Sequence, residues 1–180
     1  MIYLRPYHFI NNYNKKEMEN LNNKINIIYR NYGGPINESV IIKIKSECQK
    51  LGIKLFLSNN IKMAIKLKLN GVYIPSFNKS LNLKFKTNKQ FQMLGSAHNL
   101  KEIRIKEKQG IDTIFLSPIF KINKKKHYFD IYKFKELSKL TKKKVVALGG
   151  INEKNIKRIK LLNCDGFAAI KYFKKIKQVK

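Results

Sequence analysis

The chain has 180 residues, 43% of them apolar, which suits one domain with a real core, is short for two, and excludes a disordered tail protein. Its formal net charge is +28, yet only four of the 39 basic residues are Arg (Arg5, Arg30, Arg104 and Arg158) and the lysines are spread along the whole length. Base readout favours Arg forks, so the charge predicts only non-specific, salt-sensitive contact with nucleic acid. No apolar run approaches the ~18 residues of a membrane span, and residues 1–6 do not form a secretory signal, so a cytoplasmic setting and no membrane partner are expected.

Short apolar runs bounded by turn residues predict strands at Tyr7–Ile10, Ile25–Tyr29, Ile53–Leu57, Gly71–Ile74, Phe91–Gly95, Ile111–Leu116, Lys144–Leu148 and Asp165–Ile170. Near-continuous apolar runs, rather than strict alternation, indicate strands covered on both faces. Helical patterns lie between them. Lys15–Asn23 is brief and polar, and so is Lys79–Asn88, so both read as short helices or loops. Val40, Ile41, Ile44, Cys48 and Leu51 recur at spacings of three and four. Asn99 and Glu102 look like a cap and its reciprocal partner, with Leu100 and Ile103 pointing inward. Asn152 is placed to cap the helix carrying Ile156, Ile159 and Leu162, and Gly52 and Gly110 stand where helices end.

Eight strand–helix alternations favour an α/β fold, a single compact (β/α)8 barrel over residues 1–180, with an open parallel sheet as the alternative. Cys48 and Cys164 sit among apolar neighbours and read as buried free thiols. His8, His98 and His127 show no ligand spacing with one another or with the cysteines, so no histidine metal site is expected.

In such a barrel the chemistry sits just after each strand. Three stretches stand out there: SAHNLKEIRIKEKQGIDTIFLSPIF from Ser96, VVALGGINEKNIKRI from Val145 and GVYIPSFN from Gly71. In this order and spacing the chain resembles the thiamine phosphate synthase/TenI family from about Tyr7 to Phe173. The resemblance implies a transferase of thiamine biosynthesis that joins a thiazole phosphate to a pyrimidine diphosphate and releases pyrophosphate, with Mg2+ held by two aspartates. TenI relatives aromatise the thiazole instead.

By that resemblance, Gly149 and Gly150 form a phosphate cradle ahead of a helix start. Arg30 and Ser96 match substrate-contacting positions, and Lys125 matches a diphosphate-binding lysine. Lys171 replaces a small hydroxyl residue and would either add charge to a phosphate site or block it. The two metal aspartates fall on Asn59 and Asn78. Neutral amides bind Mg2+ poorly, so Mg2+ is expected as a cofactor only if the synthase reaction is retained. The catalytic histidine of TenI relatives falls on Pro118, which does not support that activity. Tyr29, Tyr32, Tyr73 and Phe77 are candidates to face the barrel mouth and stack a flat heterocycle. The expected partner is a small phosphorylated heterocycle, handled by a working transferase or by a non-catalytic binding relative; a basic barrel that binds nucleic acid is the remaining alternative.

Overall fold

A computed structural model describes residues 4–35, 37–83, 85, 88–122, 128–170 and 172–173. In chain order the elements are β1 (Arg5–Ile10), α1 (Lys15–Glu19), β2 (Asn26–Tyr29), α2 (Glu38–Lys50), β3 (Leu55–Ser58), α3 (Ile61–Lys66) and β4 (Gly71–Ile74). They continue with β5 (Gln92–Ala97), α4 (Leu100–Lys108), β6 (Thr113–Leu116), α5 (Asp130–Lys139), β7 (Lys144–Leu148), a 3-10 helix (Ile156–Leu161) and β8 (Gly166–Ala169). The strands pair in sequence order, all parallel, and β1 closes on β8 with Tyr7 opposite Ala168. The open sheet is thereby excluded, and no strand edge is left unpaired.

Alternation along each strand divides the core in two. Tyr7, Phe9, Ile28, Phe56, Tyr73, Leu94, Phe115, Val146 and Ala168 fill the barrel interior. Tyr7 meets Phe115 edge-on at 5.0 Å, and Phe9 meets Tyr73 at 5.2 Å. Bulky rings let short strands fill a narrow barrel without voids. The opposite strand faces, with Ile27, Leu57, Val72 and Ile114, pack on Ile41, Ile44 and Ile103 of the helices. Tyr29 belongs to this outer layer. Its expected place at the mouth is therefore corrected: Ile28 points inward, so its neighbour must point out.

Local chemistry explains the helix starts. The Asn37 side chain accepts from the N–H groups of Ser39 and Val40 ahead of α2. The Asn99 side chain accepts from the Glu102 N–H, and the Glu102 carboxylate takes the His98 N–H at 2.7 Å, one residue earlier than the usual reciprocal cap. Leu100, expected to point inward, is 38% exposed because it stands at the first helical position, whereas Ile103 one turn later is fully buried. Asn152 does not cap a full helix. Asn155 precedes a 3-10 helix instead, with its side chain spent on the Asn152 N–H and the Gly150 carbonyl. Among the described residues of 79–88 none is helical. Cys48 and Cys164 are free and buried, as expected.

Candidate functional site

Arg30, Asn59, Asn78, Ser96, Gly149 and Gly150 all stand at the C-terminal rim of the barrel. Arg30 follows β2 and lies 5.1 Å above the Phe9 ring and 5.6 Å from the Tyr32 ring, so two aromatic faces hold its guanidinium. Tyr32 shares a 2.9 Å hydrogen bond with the Ser58 hydroxyl and meets Phe77 edge-on at 5.5 Å. Phe77 is exposed and Tyr32 half so, which leaves an aromatic wall on the solvent side. Ser96, buried at the top of β5, hydrogen-bonds the phenol of Tyr73. Burial pushes that phenol well above its ordinary range, so it remains a neutral donor. Burial also raises Tyr32, against the opposing pull of Ser58 and Arg30. A continuous run of contacts thus links Arg30, Tyr32 and Ser58, and a second, through Phe9 and Tyr73, links Arg30 to Ser96.

Asn59 and Asn78 come together directly. The Asn78 amide donates to the Asn59 side-chain oxygen at 2.7 Å, and the Asn78 oxygen accepts from the Ser80 N–H. Asn59 adopts φ 58°, a left-handed conformation that Asn and Asp tolerate better than other side chains. The two amides bond directly here, whereas two carboxylates at the same spacing would repel unless a cation or a shared proton lay between them. A protein usually holds Mg2+ through one or two carboxylates, and this donor set is neutral, so the residues present do not fit it. Among the described residues there is no group of three or more His, Cys, Asp and Glu able to hold a metal.

Asn78 is also held from below by two residues that the sequence analysis missed. Lys106 of α4 is fully buried, and its ammonium donates to the carbonyls of Pro75 (2.9 Å) and Asn78 (2.8 Å) and to the Gln109 side-chain oxygen (2.8 Å). The Gln109 amide in turn donates to the carbonyls of Asn78 and Ser80. Burial lowers the Lys106 amine to about 8, partly offset by the Glu102 charge. This lysine clamp fixes the loop after β4, in which none of the described residues is helical. One signal was available: Lys106 lies three residues after Ile103, on the buried face of α4.

Gly149 and Gly150 follow β7 with φ of 97° and 72°. A Cβ on Gly149 would lie 2.9 Å from the Pro118 backbone, and one on Gly150 2.6 Å from the Phe120 carbonyl oxygen. Both glycines are therefore needed for the turn itself, which packs on the loop after β6. Pro118 occupies that loop, and His98 is bound through Nδ1 to the Ser117 carbonyl at 2.5 Å, which makes it a packing residue of the rim. His8 faces the outer layer, not the barrel interior, and lies between the Glu17 carboxylate (2.8 Å) and the Ala169 carbonyl (3.2 Å). Lys125, Lys171 and His127 lie outside the described residues.

The profile of the family described as thiamine monophosphate synthase matches residues 15–173, nearly the whole barrel. The chain belongs to this family. It is 30% identical over 130 residues to a thiamine-phosphate synthase of Clostridium tetani, covering 71% of this chain and 62% of that protein. It is 24% identical over 140 residues to a thiamine-phosphate synthase of Methanococcus vannielii, covering 74% and 68% of the two chains. The match thus spans under two thirds of the clostridial relative's length. Among solved structures, thiamine phosphate pyrophosphorylase from Pyrococcus furiosus superposes with a TM-score of 0.72 at 17% identity, over 93% of this chain and 85% of that one. FabK from Thermotoga maritima reaches 0.68 at 12% identity, over 96% and 59%, so the backbone similarity reports the barrel and the sequence reports the family. No helix of the described residues is long and apolar enough to cross a membrane.

Proposed function

We propose that this member of the thiamine monophosphate synthase family binds a phosphorylated thiazole or pyrimidine at the barrel mouth and lacks efficient Mg2+-dependent synthase turnover. The phosphate meets the N–H groups of Gly149 and Gly150, with Arg30 and Ser96 as secondary contacts and Lys125 and Lys171 adding charge. The heterocycle packs on Tyr32 and Phe77. The observation that carries this reading is the direct Asn59–Asn78 hydrogen bond at the positions where the family resemblance puts a metal's carboxylates.

Arg30 supplies a fixed cation for a departing or resident phosphate. Ser96 and Tyr73 offer neutral hydroxyls, and the buried phenol is far too weak an acid to act as a base near neutrality. This set binds and orients; it has no charged oxygen to place a Mg2+ beside a diphosphate.

The test compares pyrophosphate release from thiazole phosphate and pyrimidine diphosphate in the wild type and in Asn59→Asp/Asn78→Asp, with thermal protection by thiazole phosphate measured alongside. Protection of both proteins, with turnover only in the double variant, supports the reading. Mg2+-dependent turnover in the wild type refutes the loss of activity, and absence of protection refutes the ligand. Saturation at 100 times the dissociation constant adds ~2.7 kcal/mol to stability, readily seen as a rise in Tm.

A further inference from the structure

At the end of the barrel opposite the mouth, a cavity of about 890 Å3 opens among the N-terminal ends of the strands. Tyr7 and Val146, both of the interior cluster, line its inner wall. Two residues before each of them on the same strands come Arg5 and Lys144, which by alternation share the interior-facing register and also line the cavity. Lys89, Lys139, Lys142 and Lys143 complete its cationic wall. Asp112 and Asp165 are the carboxylates of the lining, and each has an oxygen held by a backbone N–H, of Met93 at 2.7 Å and of Val145 at 2.8 Å. Among the described residues Arg5, Lys89, Lys139, Lys142 and Lys144 form no ion pair, and Lys143 faces the field of Glu107.

This end of a (β/α)8 barrel ordinarily serves stability, and its interior-facing strand positions close the core. Unpaired cations at two such positions, facing an open concavity, do the opposite. Six cations against two carboxylates in one concavity raise the local positive potential and concentrate multivalent anions. We propose that the lower cavity is a second binding site, for a compact oligophosphate: the triphosphate chain of a nucleotide or an inorganic polyphosphate. The chain lies between Arg5, Lys142 and Lys144, and lysines serve as point charges for phosphate oxygens without the planar geometry a guanidinium imposes. Ligand pockets fall in the range of about 300–1,000 Å3, and the cavity volume lies within it. A concave wall bordered by one part-exposed aromatic ring, Phe91, suits a small ligand better than a strand of nucleic acid, which calls for a groove with repeated stacking platforms.

The experiment titrates the full chain with tripolyphosphate and, separately, with ATP by calorimetry at physiological ionic strength. Saturable one-to-one binding is expected. Lys142→Gln/Lys144→Gln should weaken it about tenfold per lysine, the loss of one charge-assisted hydrogen bond each. Lys43→Gln/Lys62→Gln removes the same charge from exposed positions of α2 and α3 and should change nothing. Tighter binding of ATP than of tripolyphosphate assigns the natural ligand to nucleotides, and equal binding assigns it to the phosphate chain alone. The proposal is overturned by the absence of saturable binding, by equal weakening in the Lys43/Lys62 variant, or by single-stranded RNA outcompeting both probes at equal phosphate concentration. The mouth and this cavity lie at opposite ends of the barrel, so either site can fail without the other.

Discussion

Replacing Lys106 with Met separates the cost of a buried charge from the worth of the bonds it makes. The amine sits at about 8 against an ordinary 10.5. At 1.36 kcal/mol per pKa unit, holding the ammonium inside costs roughly 3 kcal/mol. Below pH 8 the folded and unfolded chains both carry the proton, and that cost is fully present. Between about 8 and 10.5 the folded chain sheds its proton first, the unfolded chain binds more, and stability rises with pH. Above 10.5 the cost is gone, while the neutral amine still donates hydrogen bonds. Met removes the cost at every pH but strands the Gln109 oxygen, at ~1–3 kcal/mol, while the Pro75 carbonyl keeps the Asn78 N–H and the Asn78 carbonyl keeps the Gln109 amide. Lys106→Met should therefore be neutral to about 2 kcal/mol stabilising at pH 7, and should lose roughly 3 kcal/mol relative to the wild type by pH 10.5. Urea denaturation of both proteins across that range is the assay. The other lysines titrate alike in both and cancel in the difference. A gap that stays constant with pH would refute the reasoning.

Two further expectations concern the turns and the thiols. Gly149→Ala meets both a left-handed φ and the Pro118 backbone, whereas Gly52→Ala has φ 65° but open space. The first should cost clearly more than the second, whose strain alone is ~1 kcal/mol; equal melting temperatures would contradict the described packing. Burial raises the Cys48 thiol to about 12 and the Cys164 thiol to about 11. Iodoacetamide at pH 8 should therefore leave both unmodified in the native protein and alkylate both in urea, as read by mass spectrometry. Fast native labelling of either would contradict its burial.

The barrel was legible in the sequence because the strand centres are buried on both faces, so Ile27–Ile28–Tyr29 or Ile114–Phe115–Leu116 reads as an unbroken apolar run. Which face a given residue takes was less legible: runs without alternation do not say whether Tyr29 or Ile28 turns inward, and register decides it. Leu100 was misplaced for a related reason, since helical spacing does not tell where a helix rises above the sheet. Of the candidate site, Arg30, Asn59, Asn78, Ser96 and the paired glycines all reached the rim, as positions after successive strands must in a closed barrel. Lys106 and Gln109 escaped notice because a lysine among five charged neighbours in KEIRIKEK reads as solvated surface. The carbonyls of the loop after β4 give that side chain a polar interior to enter.

The pairing of β1 with β8 has a kinetic consequence. One edge of β1 is satisfied early by β2, but the other waits for a strand whose residues lie far along the chain; His8 meets Ala169 at a separation of 161. Until that meeting the growing sheet presents two raw edges, and contacts this distant make closure slow. An unclosed sheet is a template for joining a second chain. A net charge of +28 makes two such intermediates repel at contact range. The lysine excess, whatever produced it, thus acts as a gatekeeper during folding, and added salt should favour aggregation over refolding in this protein.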